Sequence, residues 1–284
     1  MKLCRARRGK IMTTKWIIDV MEEWAPSEWA MESDNVGLLI GDRARPVSRV
    51  LTALDLTESV LREAVQGRFD FVITHHPLIT RHIQPINRIT ADNPFGKKVM
   101  TLISNGIGLF CAHTNLDMAP GGVGDLLFDL IGLADKEALI PPKDLNLANN
   151  PTLGLVGQLA RPMALKALAE HMGKVLGVDC IRYAGAPDTQ IKRVGLCGGN
   201  GTSPTLIKAA LEKKCDVYIC GDIDYHLGID CQERGMALID GTHYATEIPI
   251  AGVIADYIKK AAATCGYELT VQVSQVDGQV FKST

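Results

Sequence analysis

No run of apolar residues in this 284-residue chain approaches the roughly 18 needed to cross a bilayer, which predicts a soluble protein with no membrane partner. There is no excess of basic charge either. Thirty Lys and Arg against 32 Asp and Glu give a formal net charge of -2 and a pI near 6.4. No global positive field recommends nucleic acid as a partner, although a local charged channel stays open. The eight cysteines form no CxxC pair and no zinc-finger spacing, so they do not read as a disulfide framework. Several, such as Cys111 and Cys220, sit inside apolar runs where Cys behaves as a small hydrophobe, and the pattern predicts a reducing, cytoplasmic setting. The first ten residues carry five basic side chains but no apolar h-region follows, which argues against a secretory signal. Met12 reads as an alternative start, with the basic stretch an extension. The glycine-rich GGNGT at 198–202 lacks the P-loop Lys and full dinucleotide spacing. It reads either as an anion site at a helix N-terminus or as a plain tight turn.

What is present is an alternation of strand and helix. Val50 to Leu54, Phe71 to Thr74 and Ile107 to Ala112 are apolar runs separated by helical stretches at Glu58 to Gln66 and around Gly96 to Ser104. The runs are rich in Val, Ile, Leu and Phe with little polar alternation, as in mostly parallel sheets covered on both faces. Residues 193–247 repeat the grammar, with runs at Val194 to Cys197, Val217 to Cys220 and Ala237 to Ile239 and helices at Pro204 to Lys213 and His226 to Arg234. FDFVITHHPL at 69–78 is echoed by CDVYICGDID at 215–224, Asp70 aligning with Asp216. GIGLFCAHTNLD at 106–117 is echoed by GMALIDGTHYATE at 235–247, and both end in a His followed four residues later by an acid. Generic strand-helix-strand units explain the apolar grammar but not the matched His and acid pairs.

The expected fold class is therefore α/β, with two similar α/β lobes from an internal duplication and mostly parallel sheets. The expected division places residues 13–130, completed by 236–284, in the first lobe and 131–235 in the second. Pro141, Pro142 and the Asn146 to Pro151 stretch read as a loop or lobe boundary, and 153–185 as strand, helix, strand.

Ligands of open parallel sheets collect beyond the carboxyl ends of the strands. His75 and His76 stand there, as do His113 with Asp117 and His243 with Glu247, so all six side chains are candidates for one cleft. Past a strand's end the pleat no longer alternates neighbouring side chains, so His75 and His76 can serve two adjacent ions. Imidazole and carboxylate suit zinc, iron or manganese, and Asp117 and Glu247 are natural bridging ligands. A lone His such as His82 or His171 reads as an ordinary surface or core residue. Acids such as Asp117 and Glu247 commonly cap helices; their place four residues after a His, twice, favours ligation.

At these residues the sequence resembles the Nif-three-like family, also described as type 2 homologues of GTP cyclohydrolase I. The resemblance is carried by DNVGLLIGD at 34–42, THHPLI at 74–79, HTNLD at 113–117, GDIDYH at 221–226 and HYATE at 243–247. It implies a two-lobed α/β protomer, a ring-shaped homohexamer, and two divalent ions per chain held by His75, His76, Asp117, His243 and Glu247. The stretch between Pro141 and Arg193 is too short for the extra domain that some members carry. The implied activity is that of a metal-dependent hydrolase of a nucleotide or related heterocycle, opening the guanine ring of GTP in the family's cyclohydrolase sense. His113, Asp222 and His226 are then candidates for proton transfer or substrate positioning, with support of the ligands as the competing role. The other class left open is a non-catalytic hexameric metal-binding or scaffold protein that engages protein or nucleic acid.

Overall fold

The computed structural model describes residues 12–80, 88–141 and 152–282. The basic N-terminal stretch, His82 and the Asn146 to Pro151 loop of the sequence reading lie outside these residues. In chain order the elements are α1 (Thr14–Trp24), β1 (Gly37–Ile40), β2 (Arg49–Ala53), α2 (Glu58–Gln66), β3 (Phe71–Thr74), α3 (Pro94–Asn105), β4 (Gly108–Cys111), α4 (Thr114–Met118) and α5 (Val123–Ile131). There follow β5 (Ala134–Ile140), β6 (Leu153–Ala164), α6 (Leu165–Leu176), β7 (Arg182–Ala184), β8 (Gln190–Asn200), α7 (Pro204–Glu212) and β9 (Val217–Gly221). The chain closes with α8 (Tyr225–Glu233), β10 (Ala237–Asp240), α9 (His243–Glu247), α10 (Ile250–Cys265) and β11 (Thr270–Val273).

The helices start where the sequence offers caps. Thr57, Asn93, Ser203 and Asp224 each accept a hydrogen bond from a backbone N–H in the first turn of α2, α3, α7 and α8, and α3 and α7 carry Pro at the first position. No helix among the described residues is long and apolar enough to cross a membrane.

The chain divides into two compact units, Met1–Leu116 with Ile250–Gly278, and Asp117–Pro249 with Gln279–Thr284. These boundaries differ from the expected breaks after 130 and 235. The reason is pairing. β10 lies parallel to β9 and antiparallel to β7, so it belongs to the second sheet, while α5 packs on β6 and β8. β5 and β6, on either side of the expected Pro-rich boundary, pair antiparallel within one sheet.

The first unit's sheet has the order β1-β4-β3-β2-β11 and the second's β5-β6-β8-β9-β10-β7. In each, three consecutive parallel strands are closed at one edge by a short antiparallel strand: β2, β3, β4 and β1 in the first, β8, β9, β10 and β7 in the second. The internal repeat extends to single bonds. Asp70 Oδ2 accepts from the backbone N–H groups of Ser48 and Arg49 at 2.8 and 2.9 Å, and Arg49 Nε donates to Gly67 O at 3.0 Å. In the second unit Asp216 Oδ2 accepts from Lys192 and Arg193 at 2.8 and 2.7 Å, and Arg193 Nε donates to Lys213 O at 2.8 Å. A carboxylate clamping the start of the neighbouring strand is thus present twice at matching positions.

β3 and β4 are buried along their whole length. In the second unit Val217 and Ile219 pack on one face of the sheet with Leu127, Leu165 and Met172, while Tyr218 and Cys220 pack on the other with Leu206, Ile207 and Cys231. Successive residues of a strand point to opposite faces, so one short run builds two cores. Cys197, Cys215 and Cys220 lie in the second of these as buried free thiols. Cys265 is disulfide-bonded.

Candidate metal centre

β3 ends at Thr74, and the chain then turns with its backbone tied down. His75 N–H donates to Ala53 O and Leu54 O, His76 N–H to Leu54 O, and Thr74 Oγ1 to His76 O. The two imidazoles are therefore presented by a fixed elbow. His75 is fully buried, and its Nδ1 sits 2.8 Å from Ala112 O. His76 Nδ1 sits 2.9 Å from Asp55 Oδ1. His113, at the start of α4, places Nδ1 2.9 Å from Asp34 Oδ2. The three rings lie edge to face or tilted with centroids 5.0 to 5.4 Å apart. One ring nitrogen from each lies within 4.8 Å of the others, a grouping able to hold a metal ion.

Asp34 is nearly buried and also receives Thr114 Oγ1 at 2.6 Å and Thr114 N–H at 3.1 Å. Burial alone raises its carboxyl, but the hydrogen bond and charge of His113, with the bonds from Thr114, outweigh it. The carboxyl is held well below the usual carboxylate range.

The second unit carries its own donors. His243 Nδ1 lies 2.7 Å from Asp222 Oδ2, and its Nε2 lies 3.0 Å from Glu247 Oε2, one helical turn on. Glu247 is buried at 3% exposure, and a carboxylate at that depth is tolerated only with donors or cations beside it. Asp222 and Thr242 both have positive φ, 58° and 60°, a conformation that costs non-glycine residues about 1–3 kcal/mol and marks functional turns. Here it aims the two ends of the Asp222 and His243 pair at one another.

The glycines of 198–202 explain themselves here. A Cβ on Gly199, whose φ is +58°, would lie 1.9 Å from Glu247 Oε1, and one on Gly221 would lie 2.5 Å from His243 N. Gly201 N–H donates to Gly199 O at 3.0 Å in a tight turn, Ser203 caps α7 with its own hydroxyl, and Gly199 leaves room for Glu247 of α9. Asp117, in α4, acts together with Glu247 on Cys197, whose thiol is pushed well above its ordinary range by burial first and by these carboxylates after.

His75, His76 and His113 are thus brought together in the first unit, and Asp222, His243 and Glu247 in the second. His226 stands exposed on α8 with its ring 5.5 Å from that of Tyr225. No described contact joins it to His243 or Glu247. Sequence reasoning missed Asp34 and Asp55. Asp34 opens the DNVGLLIGD stretch, but nothing in local spacing connects it to His113.

The architecture and donors define an α/β protein with His and Glu groups able to hold a metal ion. The sequence pattern of the Duf34/NIF3 (NGG1p interacting factor 3) family matches residues 12–279, and the chain belongs to that family. It is 32% identical over 273 residues to a GTP cyclohydrolase 1 type 2 homolog of Clostridium acetobutylicum, covering 95% of this chain and 99% of that one. Among solved structures it is similar to a Bacillus cereus protein related to NIF3, with TM-score 0.88, 26% identity and coverage of 97% and 100%. Reduced HcgD from Methanocaldococcus jannaschii matches with TM-score 0.76, 30% identity and coverage of 94% and 99%.

Proposed function

We propose that the chain holds two divalent ions through His75, His76, Asp117, His243 and Glu247 and acts as a metal-dependent hydrolase on a nucleotide or related heterocycle. One observation carries the reading: three imidazoles, those of His75, His76 and His243, each engage an oxygen acceptor through Nδ1. That is how metal-ligating histidines are oriented, with the other nitrogen left for the ion. Zinc, iron and manganese all suit imidazole and carboxylate donors. Bound there, a divalent ion supplies Lewis-acid polarisation of the substrate.

The chain's own residues divide the remaining work. Asp55 and Asp222 orient His76 and His243, so Asp222 is a support of a ligand before it is a proton donor. His113 and the exposed His226 are the imidazoles left as candidates for proton transfer or substrate positioning.

Protein purified without chelators is expected to carry about two divalent ions per chain, because five donors exceed what one tetrahedral ion requires. His76→Ala is expected to show a clear loss by elemental analysis, and unchanged metal content would remove His76 from the site. In a nucleotide and phosphoester panel, metal-loaded protein is expected to release formate from GTP by hydrolysis at the imidazole ring of the base. Phosphate in place of formate would redirect the reading to phosphoester hydrolysis, and silence throughout would favour the non-catalytic scaffold.

The homohexamer belongs to the same proposal. Met100 and Ile103 on α3 are 43% and 60% exposed, the kind of apolar surface that contacts between copies require. Glu247→Gln is expected to lower metal content and activity while light scattering still reports the assembly. A hexamer that falls to monomers would make the metals structural.

A further inference from the structure

β7 is three residues long and buries little, yet its first side chain reaches beyond its own strand pair. Arg182 stands directly opposite Asp240 in the antiparallel register of β7 and β10, and its guanidinium donates to Asp240 Oδ2. That contact follows from the register, since facing residues of two strands share a side of the sheet. The same nitrogen, Nη2, also donates to Ile223 O at 3.1 Å. Ile223 belongs to the turn after β9, and β10 lies between β9 and β7, so the link spans two strand spacings, about 10 Å. One guanidinium thus ties the chain leaving β9 to the end of β10.

Those are the two places that set Asp222 and His243. Ile223 follows Asp222, whose φ is 58°, and Asp240 Oδ1 accepts at 3.0 Å from the N–H of Thr242, whose φ is 60° and which precedes His243. Non-glycine backbone in that region persists only where the surrounding structure holds it. We propose that Arg182 is a positioning residue: it holds the two strained turns in place and so keeps Asp222 against Nδ1 of His243. The inference rests on the metal-binding reading above and adds to it a residue outside the donor set.

An ion pair exposed on both sides would contribute little. Asp240 is different, its side chain keeping 7% of its surface against 70% for Arg182, and a carboxylate at that depth is costly to leave without its cation. The first unit meets the same need with another group. There Gly37 of β1 stands opposite Cys111 of β4, as Arg182 stands opposite Asp240, and Cys111 Sγ donates to His75 O at 3.0 Å. In both units the end of the third parallel strand is fastened to the turn after the second. That turn carries a candidate ligand, His75, in one unit and the support of one, Asp222, in the other.

The test compares Arg182→Gln with Arg193→Gln. Arg193 joins Lys213 O and Glu137 by bonds of the same kind, at the start of the parallel strands and not at their ends. In metal-free protein, hydrogen exchange at the Thr242 amide is expected to be at least about tenfold faster in Arg182→Gln, and cobalt titration to show about 10-fold weaker binding with a changed visible spectrum. Arg193→Gln is expected to lower the melting temperature while leaving Thr242 exchange and cobalt binding as in wild type. Arg182→Lys, which keeps a cation and its donors, is expected to restore part of both and carries the comparison where Arg182→Gln yields too little folded protein. Wild-type exchange at Thr242 in a folded Arg182→Gln overturns the proposal, as do losses that Arg193→Gln matches. Faster exchange with unchanged cobalt affinity and spectrum overturns it too, because the turns would then be held for stability alone. Wild type that takes up no cobalt ends the metal reading itself, and exchange at Thr242 still decides whether Arg182 holds the turns.

Discussion

Gly199→Ala is expected to yield folded protein that has lost at least half of its bound metal. Two effects act at this position. The backbone there is left-handed, with φ +58°, and placing alanine in it costs about 1–2 kcal/mol. The second effect is specific to the site. The new Cβ would lie 1.9 Å from Glu247 Oε1, 2.7 Å from its Cδ and 3.2 Å from His243 Nε2, so the carboxylate must move. Glu247 has little freedom to do so, because α9 is held by the Thr242 cap and by Thr246, whose hydroxyl accepts from Gly199 N–H at 3.0 Å. Gly177 separates the two effects: its φ is +66° but nothing lies within 4 Å of an added Cβ. Gly177→Ala should share the strain, lower the melting temperature by a few degrees and keep its metal. Equal metal content in the two variants, measured by elemental analysis, would mean that Glu247 is not a ligand or that its position is immaterial.

The elements around the site were legible where local chemistry decides them. The apolar runs and capped helices from Val50 to Ala112 reappear as β2, α2, β3, α3 and β4 within about two residues, because uninterrupted Val, Ile and Phe between Gly, Asn and Thr leave few alternatives. His75, His76 and His113 were legible as a group because each follows such a run directly. What stayed hidden depends on partners far away in the chain. Asp55 reaches His76 across 21 residues, and no periodicity connects them. Asp34 lies further still from His113, and its DNVGLLIGD stretch was quoted for resemblance with no role for its first residue. The compact units divide at other residues for the same reason. A run such as Ala237 to Ile239 reads as a strand, but which sheet it joins is settled by its pairing with Val217 to Cys220. Likewise GGNGT shows its glycines openly, while the helix that needs the space, α9, arrives more than 40 residues later.

The largest loss of stability is expected from Phe71→Ala, whose ring is fully buried at the start of β3. Removing a buried phenyl group costs about 3–5 kcal/mol, from lost transfer energy and from the cavity left behind. The space it fills is visible on the neighbouring strand, where Phe71 pairs with Gly108. A Cβ added to Gly108 would lie 2.5 Å from Phe71 Cδ2 and 2.6 Å from Cε2, so the ring lies across a position that only glycine leaves open. Gly108→Ala alone should therefore destabilise by overpacking, about 1–3 kcal/mol. With Phe71→Ala also present the clash disappears and the new methyl occupies part of the cavity. The double variant is expected to be no less stable than Phe71→Ala alone, so the two losses fall short of adding. Denaturant melts of the four proteins close the cycle. Strict additivity would show that the ring does not rest on Gly108. The same measurement bears on the site, because β3 ends in the elbow that carries His75 and His76. If the strand's packing is what holds that elbow, Phe71→Ala should weaken cobalt binding even where the protein remains folded, and Gly108→Ala should weaken it less.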